Sequence, residues 1–548
     1  MSSRNLWLDE KGRPILSKEK FLKGALILTV AGIIVKVIGS VNRIFLSRLL
    51  GGEGIGLYQM AYPIYLLALS ISSAGIPVAI SILVAEKAAL QDYRGANRVF
   101  RISLSLLTVT GAVFSVILFF GAGWLIEHQF VRDPRAYYAI AALAPALFFV
   151  TILSSYRGYF QGMQMMLPTG VSQIAEQFVR VVTMVGFAYI LLPRGLEYAA
   201  AGASFGAGPG AVAGLLVLLF FYWKYRKDLQ QKMAQQPLLQ QESGTSIITR
   251  IVKLALPVSL ANIMLPVVSN IDLLIVPPRL EVAGYTVEQA TELFGYLTGM
   301  AVPLVNMATI LTASLAASLV PAVSEANTLG DRPAIYDRTS TALRIANFIT
   351  IPAFVGMWLL ATPISTMLYA TPNAGVCIAI SALGIFLLGI HQVTTGVLQG
   401  LGHTAIPVVN MVISAGVKVV FSWTLTALPA WGIVGAAWAT IADFGVAALL
   451  NLVFIYRFIG FALPVKDTLK TGTAAAVMGL VCLGLYEFLM AQGLRNTLAT
   501  LIAIATGGGV YGVLLLLLGS VGERELLKIP AVGGPAARVL KKIHLLRR

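Results

Sequence analysis

Two cations interrupt the first apolar stretch of the chain, VAGIIVKVIGSVNRIFL. Lys36, Gly39, Ser40 and Arg43 recur there at helical spacing and therefore share one face of a helix, with Asn42 next to Arg43. Lys36 and Arg43 lie about two turns apart, roughly 10 Å along the axis. Each central cation costs about 2.5–3.5 kcal/mol in a membrane. Because Lys36 is too far from either end of the stretch to reach the interface, we expect both cations to face water and bind an anion, arginine as a bidentate fork and lysine as a point charge.

Other polar side chains also lie inside apolar segments: Arg157, Glu176, Arg180, Asn262, Asn270, Asp272, Asn306, Asn410, Lys418 and Asp443. Glu176 and Arg180 are spaced i,i+4, which predicts an ion pair within one helix. Lys418 has no acid at that spacing. It either pairs with Asp272 or Asp443 from another segment, or it is a charge used in coupling.

The composition is that of a polytopic membrane protein. Of the 548 residues, 57% are hydrophobic and only 12% are charged. The cysteines Cys377 and Cys482 lie far apart in apolar runs, and the four histidines have no metal-ligand spacing, so we expect no disulfide, metal site or cofactor. No nucleophile elbow or phosphate-binding glycine loop is present, which argues against an enzyme.

The apolar segments predict about fourteen transmembrane helices, each long enough to span a ~30 Å core. They run near 22–48, 57–86, 98–125, 135–161, 168–193, 197–223, 248–277, 292–322, 340–368, 376–401, 405–428, 432–457, 468–491 and 496–520. Most of the 40 lysines and arginines then fall on the side of both termini, which the positive-inside rule makes cytoplasmic. This topology, with attraction to anionic lipids, accounts for the net charge of +16 without a nucleic-acid partner.

A weak internal repeat relates the first six spans to the next six. GYFQG, which begins at Gly158, matches GVLQG at Gly396, and Arg180 corresponds to Lys418 at the same offset of 238 residues. Six intervening spans give both copies the same orientation, so the repeat is parallel, about an axis along the membrane normal. The predicted fold is all-α: a polytopic membrane protein of two six-helix lobes related by a parallel pseudo-two-fold, plus two C-terminal helices.

The domain organisation follows from these spans. Residues 1–223 form an N-terminal lobe, 224–247 a cytoplasmic linker, 248–458 a C-terminal lobe, 459–520 two further helices and 521–548 a basic cytoplasmic tail.

The segment VIGSVNRIFLSRLLGGEGIGLYQMAYPIYLLALSISSAGIPVAISILVAEKA closely resembles the opening of the MurJ/SpoVB branch of the multidrug/oligosaccharidyl-lipid/polysaccharide exporter superfamily. The phrases GEGIGLYQMAYPIY and SSAGIPVAIS carry the resemblance most specifically. It implies a flippase that moves lipid II, the undecaprenyl-pyrophosphate-linked peptidoglycan precursor, across the bacterial plasma membrane by alternating access. It also implies a cationic cavity between the lobes and a groove on the C-terminal helices for the lipid tail.

The chain departs from the family pattern at several positions. Asn42 stands where some members have another arginine, and the second and eighth spans carry no basic residue. Some relatives bind sodium with polar groups of the seventh, eleventh and twelfth spans, where Asp272, Asn410 and Thr440 are the counterparts; Ser414 replaces an expected acid there, one turn from Lys418. We therefore hypothesise that Lys418 supplies the charge that sodium supplies elsewhere, with sodium or the membrane potential as candidate sources of coupling.

Three alternatives stay open at this stage. The first is a flippase for another lipid-linked glycan, such as a capsule, teichoic or exopolysaccharide precursor, which shares the pyrophosphate. The second is a cation-coupled multidrug exporter, which would need unpaired acids in its cavity. The third is a membrane scaffold that transports nothing. The expected partners are a lipid-linked glycan, membrane lipids and cell-wall synthesis proteins.

Overall fold

The structure is a computed structural model that describes residues 18–73, 75–236, 242–461 and 465–519. The described residues are almost entirely helical, and twelve of their helices are long and apolar enough to cross a membrane. The all-helical polytopic fold predicted from the sequence is confirmed. The basic segments before residue 18 and after residue 519, and the side chain of Asn262, lie outside the described residues.

The chain divides into two compact units, of which the first ends at Leu274 and the second begins at Ile275. The helices of the first unit are α1 (Lys18–Ser73), α2 (Ile76–Ala89), α3 (Tyr93–Glu127), α4 (Ala136–Gly162), α5 (Met166–Leu191), α6 (Leu196–Phe205), α7 (Ala207–Gln235) and most of α8 (Gly244–Val282). Ile247, Ile251 and Ala255 of α8 are buried with α2, α3 and α4 in one apolar cluster. The division into units by packing falls within α8, at Leu274, and the lobe organisation predicted from the sequence, with its linker at 224–247, stays a prediction.

The second unit contains the remaining helices. They are α9 (Val287–Phe294), α10 (Val302–Ala308), α11 (Ile310–Thr328), α12 (Arg332–Leu359), α13 (Ala361–Tyr369), α14 (Gly375–Gly400), α15 (Ala405–Leu425), α16 (Gly432–Ile459), α17 (Val465–Ala491) and α18 (Asn496–Leu517). Val323, Leu343, Val397 and Ile455 from α11, α12, α14 and α16 are fully buried together. Apolar helices meeting on all sides in this way are expected where neighbouring helices replace lipid.

Several predicted spans are broken helices. α1 covers the first predicted span and much of the second and bends at Gly51, whose φ of 66° favours glycine. The sixth predicted span is split at Gly206 into α6 and α7. The eighth contains a π-helix, Gly295–Ala301, between α9 and α10. Hydropathy predicts the length of such a span but contains no signal for these breaks.

Glycine contacts confirm the internal repeat. A Cβ at Gly158 of α4 would lie 2.6 Å from the carbonyl oxygen of Pro77 in α2, and a Cβ at Gly396 of α14 would lie 2.7 Å from that of Ala316 in α11. The same is true one turn later, where Gly162 approaches Ser81. Both helix pairs therefore meet backbone to backbone at equivalent positions, which requires the absence of a side chain.

Within the second unit, the two C-terminal helices pack on α12. The hydroxyl of Tyr511 in α18 donates to the carbonyl of Phe348 in α12 at 3.0 Å, and the amide of Asn347 donates to Thr468 of α17 at 3.1 Å. These bonds satisfy polar groups inside apolar helices, and so hold α17 and α18 to α12.

Candidate functional site

The residues Lys36, Gly39, Ser40 and Arg43, here called the polar stripe of α1, lie at the edge of the buried face of that helix. Lys36 and Arg43 are about 20° apart around the axis. Val37, Val41 and Phe45, which are 57%, 44% and 56% exposed, project about 100–180° away from Lys36. Ile33, which is 54% exposed, lies about 60° from Lys36, so the two cations lie at the margin of the exposed apolar face of α1.

Neither cation has a carboxylate partner in the part of the chain that the structure describes. Lys36 is exposed, and Arg43 is half-buried and donates from Nη1 to Oε1 of Gln59 at 3.5 Å. Gln59 is itself buried in the part of α1 after the bend. A neutral amide orients the guanidinium without cancelling its charge, so both positive charges of this stripe are available to an anion.

The other predicted residues of the stripe face neighbouring groups of the protein. Asn42 is 6% exposed; its Nδ2 donates to Sδ of Met184 in α5 at 3.5 Å, while its buried Oδ1 has no partner within the described residues. A Cβ at Gly39 would lie 3.3 Å from Nε2 of Gln177. Ser40 donates to the carbonyl of Lys36 at 2.9 Å. Gly39 and Asn42 thus mark the α1–α5 contact.

A second cluster of charges lies on α4 and α5. Arg180 donates from Nη2 to Oε1 of Glu176 at 2.5 Å, which confirms the ion pair predicted from their spacing. Arg157 of α4 donates from Nη2 to Oε2 of the same carboxylate at 2.8 Å and from Nε to Ser172 at 3.0 Å. One carboxylate thus holds two guanidinium groups. Arg157 was identified from the sequence as an intramembrane polar group, but its partner, Glu176, lies 19 residues away on another helix.

Three tyrosines of α1 line this cluster. Tyr58 and Tyr62 stack with ring centroids 5.5 Å apart, and Tyr65 follows at 6.0 Å from Tyr62. Tyr58 lies within electrostatic range of both Arg43 and Arg180. These three tyrosines were not predicted to be site residues, although the segment YQMAYPIY places them about one turn apart on one helix face.

Glycines of α7 bring that helix against the charged face of α5. A Cβ at Gly210 would lie 2.7 Å from Cβ of Arg180, and one at Gly214 would lie 3.1 Å from Cβ of Glu176. Because Gly210 and Gly214 have no side chain, α7 can lie close to α5 beside Glu176 and Arg180.

The candidate coupling residues of the second unit make separate polar contacts, most of them buried. Ser414 donates to Oδ1 of Asp443 at 2.6 Å, and Asn410 donates to Oδ1 of Asn451 at 2.8 Å. Thr440 donates to a carbonyl of its own helix at 3.3 Å. Lys418 is only 4% exposed and lies one turn after Ser414. The structure brings Asn410, Ser414 and Lys418 onto one face of α15.

Asn451 is the centre of the contacts around Asn410 and was not identified from the sequence. Its Nδ2 lies 3.0 Å from Oγ1 of Thr395, 3.2 Å from Oγ1 of Thr394 and 3.3 Å from Nδ1 of His391. Asp272 lies in the first unit, on α8, and both it and Lys418 interact with other residues of the chain. The choice between pairing and coupling for Lys418 stays a prediction.

Comparisons with known proteins agree with these features. A family model described as polysaccharide biosynthesis protein matches residues 21–283, and the MatE model matches residues 257–424. Stage V sporulation protein B of Bacillus subtilis (strain 168) is 30% identical over 518 residues, which is 94% of this chain and 99% of the relative. The lipid II flippase MurJ of the same organism is 28% identical over 517 residues, 90% of this chain and 94% of the relative.

Solved structures share the fold. The lipid II flippase MurJ in its inward closed conformation matches with a TM-score of 0.66 at 16% identity, over 92% of this chain and 100% of that one. An inward-facing multidrug resistance MATE family transporter matches with a TM-score of 0.64 at 16% identity, over 80% and 98%.

A repeated helical fold of this kind, with intramembrane cations, defines a multi-pass membrane transporter of the multidrug/oligosaccharidyl-lipid/polysaccharide exporter superfamily. Within that superfamily, the chain belongs to the MurJ/SpoVB family.

Proposed function

We propose that this protein is a flippase that carries an undecaprenyl-pyrophosphate-linked glycan, lipid II in the first place, from the cytoplasmic to the outer leaflet of the bacterial plasma membrane. Both termini lie in the cytoplasm in this proposal. The relative named as a lipid II flippase, aligned over 90% of this chain, supports it.

The observation that carries the proposal is the pair of uncompensated cations on α1. Lys36 and Arg43 have no carboxylate partner within the described residues, and each costs free energy at bilayer depth. A pyrophosphate group offsets that cost because it brings the opposite charge. Arg43, oriented by Gln59, grips phosphate oxygens with its fork, while Lys36 acts as a point charge.

The remaining candidate residues have supporting roles in this proposal. Gly39 and Asn42 fix α1 against α5, and the bond from Ser40 to the carbonyl of Lys36 favours bending of the helix next to the cations. The glycan stays in water, and the polyprenyl tail stays in lipid against α17 and α18.

Coupling is proposed to come from the membrane potential. Moving one charge across 100 mV is worth about 2.3 kcal/mol, which is enough to return an empty cationic site to the negative cytoplasmic side. Lys418 then takes the place of a sodium ion in the second unit. If transport by the purified protein rises steeply with sodium, this part of the proposal is wrong.

The test is complementation of a bacterial strain depleted of its own lipid II flippase. We expect the wild-type chain to restore growth, Lys36→Ala and Arg43→Ala to abolish rescue at unchanged protein level, and Arg43→Lys to be intermediate since the charge stays while the fork is lost. Lys224→Ala, which removes an exposed cation within α7, is the matched control and should rescue fully. Full rescue by Lys36→Ala and Arg43→Ala would contradict the proposal.

A second candidate substrate is another undecaprenyl-linked glycan. The match of residues 21–283 to a polysaccharide biosynthesis model and the similarity to a sporulation protein favour it. Failure of the wild type to rescue, at normal protein level, together with flipping of a simpler undecaprenyl-pyrophosphate sugar in proteoliposomes, would select this substrate. An exporter of organic cations is disfavoured in the first unit because the carboxylate of Glu176 is held by two arginines.

A further inference from the structure

The cluster of Arg157, Glu176 and Arg180 carries a net charge of +1 inside the membrane-spanning part of the first unit. All three side chains are mostly buried, at 17%, 12% and 19% exposure. If stability alone had to be satisfied, one arginine and one glutamate would suffice, because an extra buried cation costs several kcal/mol. The second guanidinium is therefore the feature that needs an explanation.

The hydrogen bonds of Arg180 are incomplete. A guanidinium has five N–H donors. In the described part of the chain, Arg180 donates from Nη2 to Glu176, whereas its Nε is buried without a partner. Arg157 is better satisfied, since it donates both to Glu176 and to Ser172. The unused donors of Arg180 suit the oxygens of a bound anion, which would satisfy them at short range.

The packing of α1 on α5 sets the depth of Arg180. Gly170 lies opposite Ile27, Gly39 lies opposite Gln177, and Asn42 contacts Met184. Residue numbers rise together along both helices, so α1 and α5 run parallel.

Interpolation between the contacts at Gln177 and Met184 places Arg180 beside residues 40–41 of α1. Arg180 thus lies between Lys36 and Arg43 in depth, within the roughly 10 Å that separates them. Tyr58 of α1 lies within electrostatic range of both Arg43 and Arg180.

We propose that the Arg157–Glu176–Arg180 cluster is a second anion-binding element, which holds the diphosphate of the lipid between the levels of Lys36 and Arg43 during its passage. Arg180 binds the phosphate oxygens, and Glu176 positions the guanidinium and keeps the local charge at +1. Arg157 holds Glu176 and is a positioning residue. This inference rests on the proposed function and names a further part of the same substrate path.

The test measures binding of undecaprenyl diphosphate to the purified full-length protein in detergent, with undecaprenyl monophosphate as the comparison. We expect Arg180→Gln to weaken diphosphate binding about ten-fold, the loss of one charge-assisted contact, and to reduce the preference for diphosphate over monophosphate. Glu176→Gln should act in the opposite direction and tighten binding by about three-fold or more, because it frees guanidinium donors and raises the local charge. Arg180→Lys should retain part of the affinity.

The opposite signs separate binding from structure. If the cluster only stabilises the fold, Arg180→Gln and Glu176→Gln both lower the unfolding temperature and affect binding alike, which would overturn the inference. If Arg43→Gln weakens binding while Arg180→Gln does not, the inference fails and the proposed function stands. If the wild type binds neither undecaprenyl lipid, the proposed function fails with it.

Discussion

The close contact of α4 with α2 makes Gly158 a sensitive position. Gly158→Ala adds a Cβ 2.6 Å from the carbonyl oxygen of Pro77, whereas ordinary van der Waals contact begins at 3.4 Å. The two helices must therefore separate locally by about 0.8 Å, because the opposing atom belongs to the backbone and cannot change rotamer. Such overpacking costs about 1–3 kcal/mol.

A matched control separates this cost from the effect of alanine on the helix itself. Alanine stabilises a helix interior over glycine by about 0.8–1.0 kcal/mol. A Cβ at Gly186, also inside a helix, would meet nothing within 4 Å, so Gly186→Ala receives that gain without a clash. The difference in stability between the two variants should thus equal the steric cost of about 1–3 kcal/mol.

The assay is thermal unfolding of the purified protein in detergent. All variants are heated at one scan rate, since unfolding of a large membrane protein is governed by a rate. We expect Gly158→Ala to unfold at a lower temperature than Gly186→Ala. Gly396→Ala should behave like Gly158→Ala, because its Cβ would lie 2.7 Å from the carbonyl of Ala316.

Equal unfolding temperatures for Gly158→Ala and Gly186→Ala would refute the steric argument. A loss in Gly158→Ala alone, with Gly396→Ala unaffected, would instead contradict the equivalence of the two helix contacts.

Three further predictions concern single contacts. Gly111→Ala places a Cβ against Oγ1 of Thr151 and should lower the unfolding temperature, whereas Gly111→Ala with Thr151→Gly should recover most of the loss in a double-mutant cycle. The hydroxyl of Ser246, with two nearby cations, holds the pKa of Glu242 below its usual value. A lowered pKa stabilises the fold fully above the unfolded pKa, and the effect is lost as the pH falls through the folded value. The advantage of wild type over Glu242→Gln should therefore be unchanged between about pH 7 and pH 5 and shrink as the pH falls below about 4.3. Tyr369→Phe removes the donor to the buried carbonyl of Met300 in the π-helix and should destabilise by about 1–3 kcal/mol, measured as a lower unfolding temperature.

The fold was largely predictable because membrane insertion constrains the sequence directly. A run of apolar residues long enough to span the bilayer becomes a helix, since no other local structure satisfies its backbone there. The fourth predicted span, 135–161, and the tenth, 376–401, differ from α4 and α14 by only one residue at each end. The π-helix within the eighth predicted span depends on neighbouring helices and could not be predicted from one segment.

The site was only partly predictable, for a related reason. Spacing within a helix predicted the pair of Glu176 and Arg180, which is a local property. The bond from Arg157 to Glu176 and the contacts of Asn451 join residues 19 to 60 positions apart, and a polar residue in an apolar run does not specify its partner. The role of Lys36 and Arg43 in binding an anion stays a prediction.

At one helix contact, equivalent positions of the internal repeat carry the small and the larger residue on opposite helices in the two units. Gly111 of α3 faces Thr151 of α4, while at the equivalent positions Thr350 of α12 faces Gly389 of α14. The small residue and the larger one have changed helices. Close packing needs one of the two positions to be small, but not a particular one.

The carboxylate has likewise changed helices at the contact of α5 with α7 and its counterpart in the second unit. There Glu176 lies on α5 and its backbone carbonyl faces Gly210 of α7, whereas in the second unit Ser414 stands at the position of Glu176 and donates to Asp443 of α16. Each unit keeps one carboxylate, supplied by opposite helices. In the first unit this carboxylate serves two guanidinium groups, while the second unit has Lys418 at the position of Arg180 and the neutral Thr395 at that of Arg157. The excess positive charge of these equivalent positions therefore lies in the first unit, which also carries Lys36 and Arg43, so an anionic headgroup should bind mainly there.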